Sequence, residues 1–162
     1  KHPSLKSGTL LVETISVVDC PAEKSLMVDK YLPPRIIRHV IAPTLANVAS
    51  KLPYEPMTEY LMKIPSDTFK QVLESQIDGI KNMLTTAREL AIEDLSVMKA
   101  AAIQNMDQQL QQEIQRLTSL QAVNSNIRND EIAFLQNLHS RLGEVINVAG
   151  VRLDAIRIIV AA

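Results

Sequence analysis

The sequence predicts an α+β fold: a small, largely antiparallel β-sheet packed on a long antiparallel helical hairpin, with the last strand at the carboxyl end. Three observations carry that expectation. All eight prolines lie at or before Pro65, which divides the 162 residues into a Pro-punctuated first part and a helical second part. Between residues 69 and 120 apolar side chains recur in steps of three or four, the signature of one amphipathic stripe. Two strand-like runs, residues 9–19 and 151–162, flank that helical region.

In the first run one face carries Leu11, Ile15 and Val17 and the other Leu10, Val12 and Val18. A strand that is apolar on both faces is expected to be central and covered. Residues 20–24, with Pro21, form a turn. Residues 25–32 alternate well enough for a second strand, with Leu26, Val28 and Leu32 on one side. Pro33 and Pro34 end it, because neither can donate to a ladder. Residues 35–41 are expected to be a third short strand. The stretch 43–65 holds four prolines and reads as a connector with short helical turns near 45–50 and 57–62.

Ser66 precedes Asp67 and is placed to cap the long helix, with acid in its first turn. Carried over 67–123 at 1.5 Å per residue, that helix would be about 85 Å long, with Gly79 or residues 99–103 as the places to bend or break. Asn129 is expected to cap the returning helix, whose first turn holds Asp130 and Glu131, and Gly150 to close it in a left-handed conformation. This second helix spans only about 30 Å. It covers the long helix from about residue 98 to 123, so the first half of the stripe must bury against the sheet. The turn at 123–129 becomes an exposed tip. The whole chain, 1–162, is expected to be one domain. Residues 1–65 form the strand-rich part and connector, 66–150 the hairpin and 151–162 the final strand.

Composition excludes several functions. Formal net charge is −1, with 8 basic and 6 acidic side chains in the first 65 residues, so no bulk field draws the chain to nucleic acid or to an anionic membrane. Aromatic content is 3% with no Trp, so the core is aliphatic and little is offered for stacking bases. The single Cys20 rules out an internal disulfide and a Cys-rich metal site. No apolar run approaches the ~20 residues of a membrane span. No signal peptide is expected, and a first residue other than Met is what a piece of a longer polypeptide would show.

Four scattered glycines form no Gly-x-x-x-x-Gly-Lys loop to cradle a phosphate. His2, His39 and His139 lack ligand partners at metal spacing. Glu93-Asp94 and Asp130-Glu131 are adjacent on a helix and do not share a face. No catalytic, cofactor-binding or metal-binding residue is assigned. The candidate interaction residues are Asn124, Asn126 and Arg128 at the tip and Arg152 and Arg157 on the last strand. Arg152 and Arg157 differ in parity, as do Arg35 and Arg38, so each pair points to opposite faces. Solvation, or pairing with Asp154, is the ordinary expectation for them.

Four segments in one order resemble the carboxyl-terminal region of the RapA family, bacterial RNA polymerase-associated ATPases of the Swi/Snf type. They are Gly8-Thr9-Leu10-Leu11-Val12-Glu13, Leu32-Pro33-Pro34, the hairpin turn from Ala122 to Glu131, and Arg152-Leu153-Asp154-Ala155-Ile156-Arg157. Ser125 stands where Pro is usual, and Arg35 where a small residue follows the two prolines. The resemblance implies a parent that uses ATP and Mg to help recycle RNA polymerase, and that is cytoplasmic and nucleoid-associated through polymerase. The motor lies outside this chain and is the part that handles nucleic acid. This chain would be a non-catalytic accessory domain whose partners are the rest of the parent and, through it, RNA polymerase. The alternative is a free-standing helical-hairpin interaction module.

Overall fold

The computed structural model describes residues 5–124 and 126–161. Its principal elements are β1 (Leu10–Asp19), β2 (Ile36–Ile41), α1 (Tyr54–Glu59), α2 (Ser66–Gln121), α3 (Asn129–Val148) and β3 (Gly150–Val160). The fold is α+β, as the residue pattern predicts. The sheet is three-stranded and antiparallel in the order β2-β1-β3, so the strand that is apolar on both faces is the central one. β1 and β2 pair with Val12 opposite Ile41 and Val17 opposite Ile36.

The chain folds as two compact units, Lys1–Val17 with Ile36–Glu93 and Arg152–Ala162, and Val18–Arg35 with Asp94–Val151. In the first unit the two faces of β1 serve two cores. Leu10 and Val12 pack with Ile41 and with Ile80, Met83 and Ala87 of α2, joined by Val72, Leu73, Leu84, Leu90 and Ile158. Leu11 packs with Val40, Ile159 and two connector residues, Leu52 and Met57. Each fully buried Val, Leu, Ile or Met among them contributes about 1.5–3 kcal/mol. The α2 stripe is thus packed against the sheet between Val72 and Leu90, whereas Phe69 and Ile77 at its start stay more than a third exposed.

In the second unit Ala102, Met106 and Leu110 of α2 and Leu142 and Ile146 of α3 are buried, which is the expected antiparallel hairpin. Lys99 Nζ donates to the Asn147 carbonyl at 2.7 Å near the base, and Gln121 Nε2 donates to Asn129 Oδ1 at 2.7 Å near the turn.

Several local expectations are overturned. Residues 25–32 are not a strand but two 3-10 turns, Lys24–Leu26 and Val28–Lys30, joined at Met27 with φ 46°. Their amides bond locally, Leu26 to Glu23 and Tyr31 and Leu32 to Val28. Both edges of β1 are already taken by β2 and β3, so a fourth strand would have no place beside it. Leu26, Val28 and Leu32 are still the buried positions, because the turns pack on α3.

Ser66 lies inside α2: the Phe69 amide bonds the Pro65 carbonyl, which makes Pro65 the capping position. Arg128, not Asn129, precedes α3, and Asn129 spends its side-chain carbonyl on Gln121. Gly150 is no left-handed cap; Ala149 at φ −54° and ψ 142° leads straight into β3. The connector's turns fall at Ala49–Lys51 and at α1, each a few residues from where the pattern places them. α2 runs through Gly79 and residues 99–103 without a break. Its stripe is buried or half-buried from Ile80 to Leu110, while Phe69, Ile77 and Leu120 are more than a third exposed.

Gly8 has φ +81°. Its amide donates to the Ala161 carbonyl at 2.7 Å while the Ala161 amide donates to Thr9 at 2.9 Å. Two residues facing one, with a left-handed glycine first, is a G1 bulge. Gly79 is a helix-interior, exposed glycine whose missing Cβ would meet only Gln76 Oε1 at 3.9 Å. The two positions predict opposite outcomes in urea unfolding. Gly79→Ala raises stability by up to about 1 kcal/mol, and Gly8→Ala lowers it by about 1 kcal/mol or more. The same sign for both would contradict these backbone assignments.

Candidate interaction site

The sequence-predicted residues fall in two places. At the hairpin turn the Asn124 amide donates to Leu120 at 2.8 Å, and Asn124 Oδ1 accepts from the Asn126 amide at 3.0 Å. Asn124 therefore shapes the turn with its own side chain. Arg128 pairs with Asp130 within the exposed first turn of α3, and Asn126 is exposed. Ser125 lies outside the described residues. Val123, 84% exposed, and Phe134, 66% exposed, are the large apolar side chains at this end. Beside Phe134, Arg116 grips Glu113 at 2.6 Å, and that hydrogen bond holds the Glu113 carboxyl below its ordinary pKa.

On β3, Arg152 and Arg157 separate as their parity requires. Arg152 Nη1 lies 3.5 Å from Asp154 Oδ1, an exposed pair on one strand face. Arg157 turns to the other face. Its Nη1 approaches Glu13 Oε2 at 3.1 Å as an ion pair without hydrogen-bond geometry. From β2, Arg38 reaches the same carboxylate, Nε to Oε1 at 2.6 Å, and also donates to the Leu52 carbonyl at 2.8 Å and to Met57 Sδ at 3.6 Å. Both guanidiniums stand 5.7 Å from the centroid of the Tyr54 ring.

Glu13 is the residue that sequence reasoning missed. It is 2% exposed on the central strand. A buried carboxylate is tolerated only when paired and hydrogen-bonded, and here two cations flank it from the two neighbouring strands. Arg38 also ties the connector to the sheet, since Leu52 and Met57 belong to the segment that covers this face. The one signal available beforehand was a charged side chain in the interior of a strand whose two faces are mostly apolar.

His39 is buried on β2 opposite Thr14. His139 Nε2 lies 2.7 Å from Asp107 Oδ1 and joins α3 to α2. His2 lies outside the described residues. No group of three or more His, Cys, Asp or Glu side chains able to hold a metal ion occurs among the described residues, and no helix there is long and apolar enough to cross a membrane. The Cys20 thiol donates to the Val145 carbonyl at 3.5 Å. Burial, then the charges of Asp19 and Asp29, raise its pKa above 9.0 despite Lys99.

Residues 1–161 match the family model RapA_C, the carboxyl-terminal region of the RNA polymerase recycling family. The chain belongs to this family. RNA polymerase-associated protein RapA of Yersinia enterocolitica is 34% identical over 160 residues, 99% of this chain and 16% of that protein. The RapA proteins of Erwinia tasmaniensis and Serratia proteamaculans match with the same identity and the same coverage. The chain thus spans about 16% of the length of the curated relatives it matches. Within the RapA_C match, Gly8 of the Gly-Thr-Leu-Leu segment is the bulge glycine, and Glu13 is the buried carboxylate that Arg38 and the half-buried Arg157 share.

Removing Glu13 strands Arg38, whose side chain is 16% exposed. Glu13→Ala is expected to cost about 3–5 kcal/mol in chemical denaturation, whereas Arg152→Ala stays within about 0.5 kcal/mol. Equal effects would show that the buried carboxylate is not needed. For Cys20 the folded state favours the neutral thiol, so its contribution is present below the ordinary thiol pKa and is lost as pH rises through the raised value. Alkylation at pH 8 is accordingly slower in the folded chain than in urea, and Cys20→Ala flattens the alkaline fall in stability. Alkylation at the unfolded rate would refute the burial.

Proposed function

We propose that this chain is the carboxyl-terminal accessory domain of a RapA-like, RNA polymerase-associated, ATP-dependent translocase that recycles polymerase in transcription. Its role there is structural or regulatory: it packs on the motor and restrains it. The observation that carries this reading is the match of residues 1–161 to the polymerase-recycling family, combined with a length that is 16% of the relatives'. Catalysis is assigned to the rest of the larger protein, in keeping with the absence of a phosphate-cradling glycine loop from this sequence. ATP and Mg are bound by the motor. Nucleic acid is handled there too, in keeping with the formal net charge of −1 here. A bacterial cytoplasmic location follows from association with polymerase.

A second reading, a free-standing hairpin module that binds a protein through residues 124–129, is favoured by the exposure of Val123 and Phe134. One experiment separates the two. An antibody raised against this chain is expected to detect, in native lysate, a polypeptide several times larger that co-precipitates RNA polymerase. A band at the chain's own mass would reject the accessory-domain reading in favour of the free-standing module.

A further inference from the structure

Among the described residues the outer edge of β3 is unfilled. β1 occupies one side of it, and among the described residues no hydrogen bond reaches the other side. Ala161 exchanges its bonds with Gly8 and Thr9, so by alternation the amides of Arg152, Asp154, Ile156 and Ile158 point away from β1. Eleven residues of open ladder without proline, with Leu153 50% and Ile156 48% exposed, form a template for another strand.

Two further features lie along the same edge. The first is a groove of about 400 Å³ between the carboxyl half of β3 and the segment before α2, lined by Leu61, Met62, Ile64, Ile158 and Val160. It is mostly apolar. The second is a charge imbalance. Arg38 and Arg157 share the single carboxylate of Glu13, and the Arg157 side chain is 40% exposed. A residue placed directly opposite Arg157 on an added strand would point to the same face and reach its guanidinium.

We infer that the β3 edge takes up, by strand addition, an extended segment of the longer polypeptide, apolar along the groove and carrying an acidic side chain opposite Arg157. The inference rests on the proposed reading of this chain as part of a larger translocase. A tethered segment is present at an effective concentration in the region of mM, which favours it over a second copy at ordinary protein concentrations. Main-chain hydrogen bonds supply the affinity and the side chains at alternate positions supply the selection.

Residue-resolved amide exchange tests this, read in the full-length polypeptide that contains the chain and, at two concentrations, in the chain alone. Ile156→Pro removes one outward donor and leaves the ladder to β1 intact; Arg157→Gln removes the charge. The outward amides of β3 are expected to exchange about tenfold or more slowly in the full-length protein than in the chain alone. Either substitution should abolish that difference while the inward amides, the control for folding, stay protected. Equal exchange in the two proteins would overturn the inference. So would protection in the chain alone that rises with its concentration, which would assign the edge to a second copy. Polymerase retention is measured in the same preparations. Fast exchange with polymerase still bound removes strand addition and leaves the accessory-domain role standing.

Discussion

A single apolar stripe on a helix of 56 residues has to find more than one partner, because neither a three-stranded sheet nor a helix of 20 residues is long enough to cover it. The rest of the fold answers that constraint. Ile80, Met83 and Ala87 bury against Leu10, Val12 and Ile41 of the sheet. Ala102, Met106 and Leu110 are buried in the unit that contains α3 with its Leu142 and Ile146. Small residues at 87 and 102 let neighbouring elements approach the helix axis closely, which an all-leucine stripe would prevent. With no tryptophan and few aromatics, this core is filled by many modest aliphatic contacts rather than by a few large anchors.

The connector between β2 and α2 has no periodicity of its own and is organised from outside. The hydrogen bond from Arg38 to the Leu52 carbonyl, and the burial of Leu52 and Met57 against Leu11 and Val40, hold it on the sheet. Glu13 makes that attachment tolerable by fixing the guanidinium that reaches across. A charged group therefore orders a segment whose own sequence specifies little. The same arrangement gives the sheet two different faces, one closed by a helix and one closed by a tethered loop.

The parts legible in the sequence were those in which one period persists over many residues. The stripe on α2, the returning helix and the two-sided apolar strand β1 all read correctly because burial and local propensity agree there. The failures were short. Leu26, Val28 and Leu32 alternate like a strand, yet sheet pairing is a non-local property that three residues cannot announce. Asn129 and Gly150 have the residue types of caps but are claimed by a tertiary hydrogen bond and by β3. Asn124 has the residue type of a polar contact, and its side-chain oxygen also shapes the turn by accepting from the Asn126 amide. Arg152 paired with Asp154 as expected, whereas the Glu13 cluster joins residues 13, 38 and 157, which no local spacing could bring together.

The two margins of the sheet are not equivalent. At β2, Ala42 bonds the Ala46 carbonyl, Val40 accepts from Val48, and Asn47 Oδ1 takes both the Val40 and the Ala49 amides, so the chain folds back on its own border. What remains open there is only the short stretch from Ile36 to Arg38. A protein with two free margins can propagate head to tail into a fibre. Here the chain itself closes most of the β2 margin, so two copies meeting edge to edge along β3 would present only β2 margins to further copies. By accepting the Val40 and Ala49 amides, Asn47 withdraws that margin as a template for another strand.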